Sequence, residues 1–151
     1  MSKVPMTGEA ATGASDKVRA VVRPRVVCLC GSTRFYQQFM EANYRETMAG
    51  HIVLSVGFYP HAVREMHGEG VGITNEQKEA LDELHKRKID LADEVLVLNV
   101  GGYVGNSTKS EIGYAILHDK PIRWLEPVGS NIKDEVFCRS KSDQHTKASK
   151  P

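Results

Sequence analysis

The side chain best placed for chemistry is a carboxylate, Glu111. It follows the stretch Gly101-Gly102-Tyr103-Val104-Gly105-Asn106-Ser107-Thr108-Lys109-Ser110. A helix opening near residue 109 would put Glu111 in its first turn. A carboxylate there can act as a nucleophile, or as the partner of an oxocarbenium-like sugar. The turn Gly105-Asn106-Ser107-Thr108-Lys109 offers N–H groups, hydroxyls and a cation to hold a sugar hydroxyl or a phosphate. The same letters carry a plainer meaning. Thr108-x-x-Glu111 also spells a capping box, in which Glu111 only bonds a backbone N–H. The local sequence leaves both open, and the long glycine-rich loop favours chemistry, because a cap alone needs no such loop.

A second candidate is the run Cys30-Gly31-Ser32-Thr33-Arg34. Gly31 lets the backbone approach a ligand closely, and the helix start after it can seat an anion. Ser32, Thr33 and Arg34 add donors, although Ser32 or Thr33 can equally cap the helix. His85 stands beside an apolar stripe of Leu81, Leu84, Leu91 and Ala92, which fits a hydrogen-bonded structural histidine. Lys88 falls near the same stripe, whereas Asp90 lies on another face and Asp93 fits a local cap or pair. Phe58 and Tyr59 can stack on a base. His61 and His67 share their loop, where a binding role is open.

No histidine spacing matches a metal site. Cys28 and Cys30 share one face of an expected strand, but two sulfurs fall short of the four ligands of zinc. The reading is therefore of buried structural thiols, with no metal and no cofactor. Three cysteines, Cys28, Cys30 and Cys138, form no even framework and point to a reducing compartment.

The elements that must position these groups alternate along the chain. Residues 26–30 form a continuous apolar run, as in a strand buried on both faces. A helix is expected over 34–49, with Phe35, Tyr36, Phe39, Met40, Tyr44 and Met48 near helical spacing and Gly50 at its end. Strand two covers 51–56. Thr74-Asn75-Glu76-Gln77 opens a helix over 75–92. Strand three covers 95–98, a helix 109–118, and the last strand 121–125. Such alternation predicts an α/β domain, Rossmann-like and three-layered, with a parallel sheet of about four or five strands. Ligands bind at the carboxyl ends of such strands. That selects the loops at 31–34, 57–73 and 99–110.

Composition bounds the rest. The chain has 151 residues, 40% of them hydrophobic and 26% charged, with a net charge of +1. One ordered domain over 25–127 is expected, between tails at 1–24 and 128–151 that look disordered. Within 25–126, 11 basic residues face 14 acidic ones, a balance of −3 that argues against nucleic-acid binding. No membrane span or signal peptide is visible, so the expectation is cytoplasmic.

Together, the strand ending in CGSTR, the helix running into LADEVLVLN, then GNSTKSEIGYA and KPIRWLEP resemble the nucleoside 2-deoxyribosyltransferase superfamily. That superfamily includes base-exchanging transferases and N-glycosidases of nucleoside 5′-monophosphates. The likeness spans about 25–126. It implies a catalytic glutamate at Glu111, with Thr108 as the hydroxyl three residues before it. Gly31 and Ser32 match the loop that contacts the sugar or its phosphate. It implies an acid at position 85, seven before Ala92, where this chain has His85, a residue able to protonate or orient the leaving base. Ser107 stands where many relatives have Gly, and Gly105 where the transferases tend to have Asp. Those departures turn the expectation toward hydrolysis of a (deoxy)nucleoside 5′-monophosphate, with base exchange or plain nucleotide binding as alternatives. Ser32, Arg34, Ser107, Thr108 and Lys109 would bind sugar or phosphate. The partner implied is a small nucleotide or nucleoside, and the protein a homodimer or larger homo-oligomer.

Overall fold

The computed structural model describes residues 22–60 and 72–129. They form an α/β domain around one parallel sheet of four strands, β1 (Val26–Gly31), β2 (Ile52–Leu54), β3 (Glu94–Leu98) and β4 (Ile122–Trp124). The strands lie in the order β2-β1-β3-β4. The helices are α1 (Tyr36–Met48), α2 (Asn75–Leu91) and α3 (Asn106–Leu117). The expected tails, His61, His67 and Cys138 lie outside the described residues. Among the described residues no helix is long and apolar enough to cross a membrane.

The apolar runs of β1 and β3 have two partners, as continuous hydrophobicity predicts. Val26, Cys28, Cys30, Val95 and Val97 face α2 and α3, packing on Ile89, Ala92, Ile112 and Ala115. Val27, Leu29, Leu96 and Leu98 face α1, on Phe39 and Ala42. The helices thus make outer layers on opposite faces of the sheet.

Several expected boundaries and faces shift. β2 is three residues rather than six. Within α1 only Phe39 of the expected apolar set is buried, beside Ala42 and Glu46. Tyr36, Met40, Tyr44 and Met48 are exposed, because steps of four residues overshoot a 3.6-residue turn and carry the row away from the face of Phe39, Ala42 and Glu46. Buried Glu46 is held by Arg123 at 2.8 Å and His51 at 2.7 Å, and Arg123 also reaches Glu94 at 2.7 Å. Asp93 makes a long-range contact rather than a local cap, accepting from the Val26 N–H at 2.8 Å and pairing with Arg23.

The site follows from the topology. β1 leads into α1 on one face, and β3 leads into α3 on the other. The chain therefore parts above the carboxyl ends of these neighbouring strands, which opens a crevice there.

Candidate active site

That crevice is a cleft of about 520 Å³ whose lining includes Gly31, Ser32, Asp82, His85, Ser107 and Glu111. Three segments meet in it: the end of β1, the α2 face and the start of α3.

The turn after β3 begins with a single 3₁₀ turn, Val100–Gly102. Gly101 and Gly102 have φ of 59° and 76°, the left-handed region where a side chain is strained. This double reversal delivers Tyr103 and Gly105 to the cleft. Helix α3 then starts at Asn106, three residues earlier than expected, after Gly105 at its N-cap. The shift decides what Glu111 is. It sits beyond the first turn, and the N-cap has no side-chain bond. Thr108 is itself inside the helix and buried. Glu111 therefore does not complete a capping box.

Glu111 is buried at the floor of the cleft. Its Oε2 has no hydrogen-bond partner and lies 4.0 Å from His85 Nε2. Burial lifts its carboxyl to about 7, although the His85 charge and the Cys30 thiol pull the other way. His85 is buried too, which lowers its proton affinity. The Cys28 side chain and the Glu111 charge more than reverse this, and the net shift is upward. The two form a coupled acid–base pair at the floor.

Behind the pair stand Cys28 and Cys30, whose sulfurs lie 3.7 Å and 3.4 Å from the same His85 nitrogen. Cys30 and His85 hold Cys28 down to about 6, against its burial, while the Cys28 side chain and burial push Cys30 well above the usual thiol range. His85 Nε2 thus contacts both sulfurs while Nδ1 is buried without a partner, and the ring also faces the cleft.

The β1 loop differs from expectation in two ways. Gly31 is needed for packing: a Cβ there would lie 3.0 Å from Leu98 Cβ. The first helix starts only at Tyr36, with Phe35 at its N-cap and no side-chain cap bond. Ser32 and Thr33 therefore cap nothing and line the cleft. Arg34 is turned away, its guanidinium 4.5 Å from the centre of the Tyr103 ring, so it orients a cleft-lining ring instead of lining the cleft itself.

Of the residues expected at the site, Gly31, Ser32, His85, Gly105, Asn106, Ser107, Thr108 and Glu111 come together. Lys109, like Arg34, is not part of the lining. Phe58 lines the cleft, but Tyr59 packs edge-on against Tyr36 and Phe39 and bonds Ser55 at 3.1 Å.

Asp82 and Lys78 went unpredicted. They lie one and two turns before His85 on the α2 face that meets the cleft. Asp82 pairs with Lys78 at 2.6 Å, and Ser107 Oγ lies 3.0 Å from Lys78 and 3.4 Å from Asp82. Their spacing to His85 carried the signal, since positions three and seven apart share a helix face. Lys88 also lines the cleft, anchored on the Ser55 carbonyl at 2.6 Å.

No family model and no curated protein matches the sequence. Among solved structures the chain is similar to a 2-deoxyribosyltransferase from the psychrotolerant bacterium Bacillus psychrosaccharolyticus. Identity is 17%, the match covers 72% of this chain and 80% of the other, and the TM-score is 0.49. A likeness so remote leaves the chemistry to the residues of the cleft.

Proposed function

We propose that this protein cleaves the N-glycosidic bond of a nucleoside, with Glu111 as the nucleophile. One observation carries the reading: a buried carboxylate that caps no helix faces a cleft with one oxygen unpartnered. In the proposed reaction Glu111 Oε2 attacks the anomeric carbon, and the C–N bond breaks with its electrons leaving on the base. Protonated His85 gives that base a proton or orients it. The glycosyl ester on Glu111 is then opened by an acceptor, either a second base in exchange or water in hydrolysis. Phe58 and Tyr103 supply aromatic faces for the base.

The seat expected for a 5′-phosphate holds an ion pair, with Lys78 3.0 Å and Asp82 3.4 Å from Ser107 Oγ, so its cation is already neutralised. The Asp82 carboxylate stands beside Ser107 at the start of α3. It favours a sugar hydroxyl there and opposes a phosphate, which supports a neutral nucleoside over a monophosphate. Lys78 and Lys88 favour the second reading, monophosphate hydrolysis, since both cations line the same cleft. The homo-oligomer implied by the family resemblance belongs to the proposal. The exposed row Tyr36, Met40, Tyr44 and Met48 is the face it would use against a second copy.

The test is incubation with ribo- and deoxynucleosides and their 5′-monophosphates, with and without a free acceptor base, followed by chromatography. Free base or an exchanged nucleoside, absent with Glu111→Gln, supports the proposal. No product from any compound overturns it. If those compounds still raise the melting temperature, the cleft is a binding module.

A further inference from the structure

The Cys28, Cys30 and His85 cluster behind the cleft has the shape of a coordination site. The two sulfurs and one ring nitrogen all lie within 4.8 Å of one another, and all three residues are buried. Sequence spacing hides the set, because His85 comes from α2, far along the chain from β1. With zinc–sulfur bonds of about 2.3 Å and zinc–nitrogen bonds of about 2.0–2.1 Å, a tetrahedral site separates sulfur from nitrogen by about 3.5 Å. The observed separations, 3.4 Å and 3.7 Å, bracket that edge.

A second observation points to the same centre. Glu111 Oε2 lies 4.0 Å from the shared nitrogen, buried and without a hydrogen-bond donor. An oxygen ligand would sit about 3.3–3.4 Å from that nitrogen, so the carboxylate must close by about 0.6–0.7 Å. No hydrogen bond reaches this oxygen, and the groups beside it offer only the His85 N–H, which also faces two sulfurs, and the weak S–H donors of the thiols.

We propose that Cys28, Cys30, His85 and Glu111 form a tetrahedral site for a zinc(II) ion. Thiolate and imidazole donors select such a soft or borderline cation over magnesium or calcium. Binding requires no redox step: the two thiols, and His85 and Glu111 where they are protonated, release their protons to solvent, after which His85 gives the Nε2 lone pair and Glu111 a carboxylate oxygen. The site does not depend on the glycosidic reading. If that reading also holds, a ligating Glu111 cannot attack a sugar, and zinc silences the enzyme by occupying its nucleophile.

The test uses the purified full chain, kept reduced without competing thiols, stripped by a chelator and titrated with cobalt(II). One cobalt per chain is expected, with near-ultraviolet thiolate charge transfer and intense visible bands of tetrahedral geometry, all erased by one equivalent of zinc. Cys28→Ser and Cys30→Ser should each weaken the charge-transfer band, and Cys138→Ser should leave it intact. Glu111→Gln should keep the charge transfer but move the visible bands. A wild type without charge transfer overturns the site, as does a band that survives Cys28→Ser combined with Cys30→Ser. Unmoved visible bands in Glu111→Gln overturn the fourth ligand. If the serine variants do not fold, X-ray absorption of the zinc-loaded wild type decides. Two sulfur neighbours at about 2.3 Å support the site, and a shell of only nitrogen and oxygen overturns it.

Discussion

Replacing Glu111 by Gln should abolish glycosidic cleavage and, at the same time, stabilise the protein above neutral pH. Burial lifts this carboxyl from 4.5 to about 7. At about 1.36 kcal/mol per tenfold change in proton affinity, ionising Glu111 in the folded protein costs about 3 kcal/mol. The sign follows from which state holds the proton. The folded carboxyl keeps it to higher pH than the unfolded one, so wild-type stability falls as pH rises from about 4.5 through about 7. His85, also shifted upward, contributes in the same direction, with stability lost as pH rises through its folded value. Its share shrinks in the variant, which lacks the carboxylate partner. Glutamine does not titrate. Its advantage over wild type should therefore grow from under 1 kcal/mol at about pH 5 to about 2–3 kcal/mol at about pH 8. For a domain of about 100 residues that is a rise in Tm on the order of 10 °C. Urea unfolding of both proteins at the two pH values, with a chelator present, reads the difference directly. A pH-independent gap, or a glutamine variant less stable at high pH, would refute the claim that Glu111 is held ionisable at a cost.

Other perturbations separate the site from its scaffold. Asp82→Asn removes a negative charge that adds to the rise of Glu111, so the acid limb of the pH–rate profile should move to lower pH. The same change should tighten inhibition by nucleoside 5′-monophosphates several-fold, and an unchanged inhibition constant would count against Asp82 as the group opposing phosphate. Gly31→Ala forces a Cβ to within 3.0 Å of Leu98 Cβ, and should cost about 1–3 kcal/mol in denaturant unfolding. Arg123→Ala leaves buried Glu46 and Glu94 without their shared cation. It should cost about 1–3 kcal/mol at neutral pH. Because Arg123 and His51 hold the Glu46 carboxyl below its usual value, that loss should shrink as pH falls through the Glu46 range, which unfolding at low pH would check.

The layers were legible because continuous apolar runs have one economical solution. Residues 26–30 and 95–98 have no polar position to present to water, so helices must cover both faces. The edges were less so. Strand β2 ends at Leu54, opposite Cys28, although apolar Val56 follows and β1 runs on to Gly31, because the chain leaves the sheet edge there and an apolar run does not mark where pairing stops. The start of α3 was misplaced because hydroxyl residues at 107 and 108 suggest a cap, whereas Gly105 takes the N-cap without a side chain. Glu111 and the α3 turn could be singled out from local letters alone. Asp82 and Lys78 had only their spacing to His85 to mark them, because a charged residue on an amphipathic helix looks solvated until its neighbour across the cleft is known.

The cysteines expose the deeper limit. Cys28 and Cys30 gave a correct account of the strand face, and packing alone explains two buried thiols there. What packing does not explain is a carboxylate pressed against them with an oxygen left over. A site meant only to bury sulfur would place an apolar side chain at 111, and a site meant only to attack sugar has no need of two thiols behind its acid. Both features meet at His85 Nε2, which lies within reach of Cys28, Cys30 and Glu111. A group shared by two functions must be released by one to serve the other. Zinc should therefore inhibit competitively with nucleoside, and nucleoside should weaken cobalt binding by the same factor, because linkage between the affinities of the two ligands is reciprocal. Inhibition without that reciprocal effect would place the metal elsewhere on the protein.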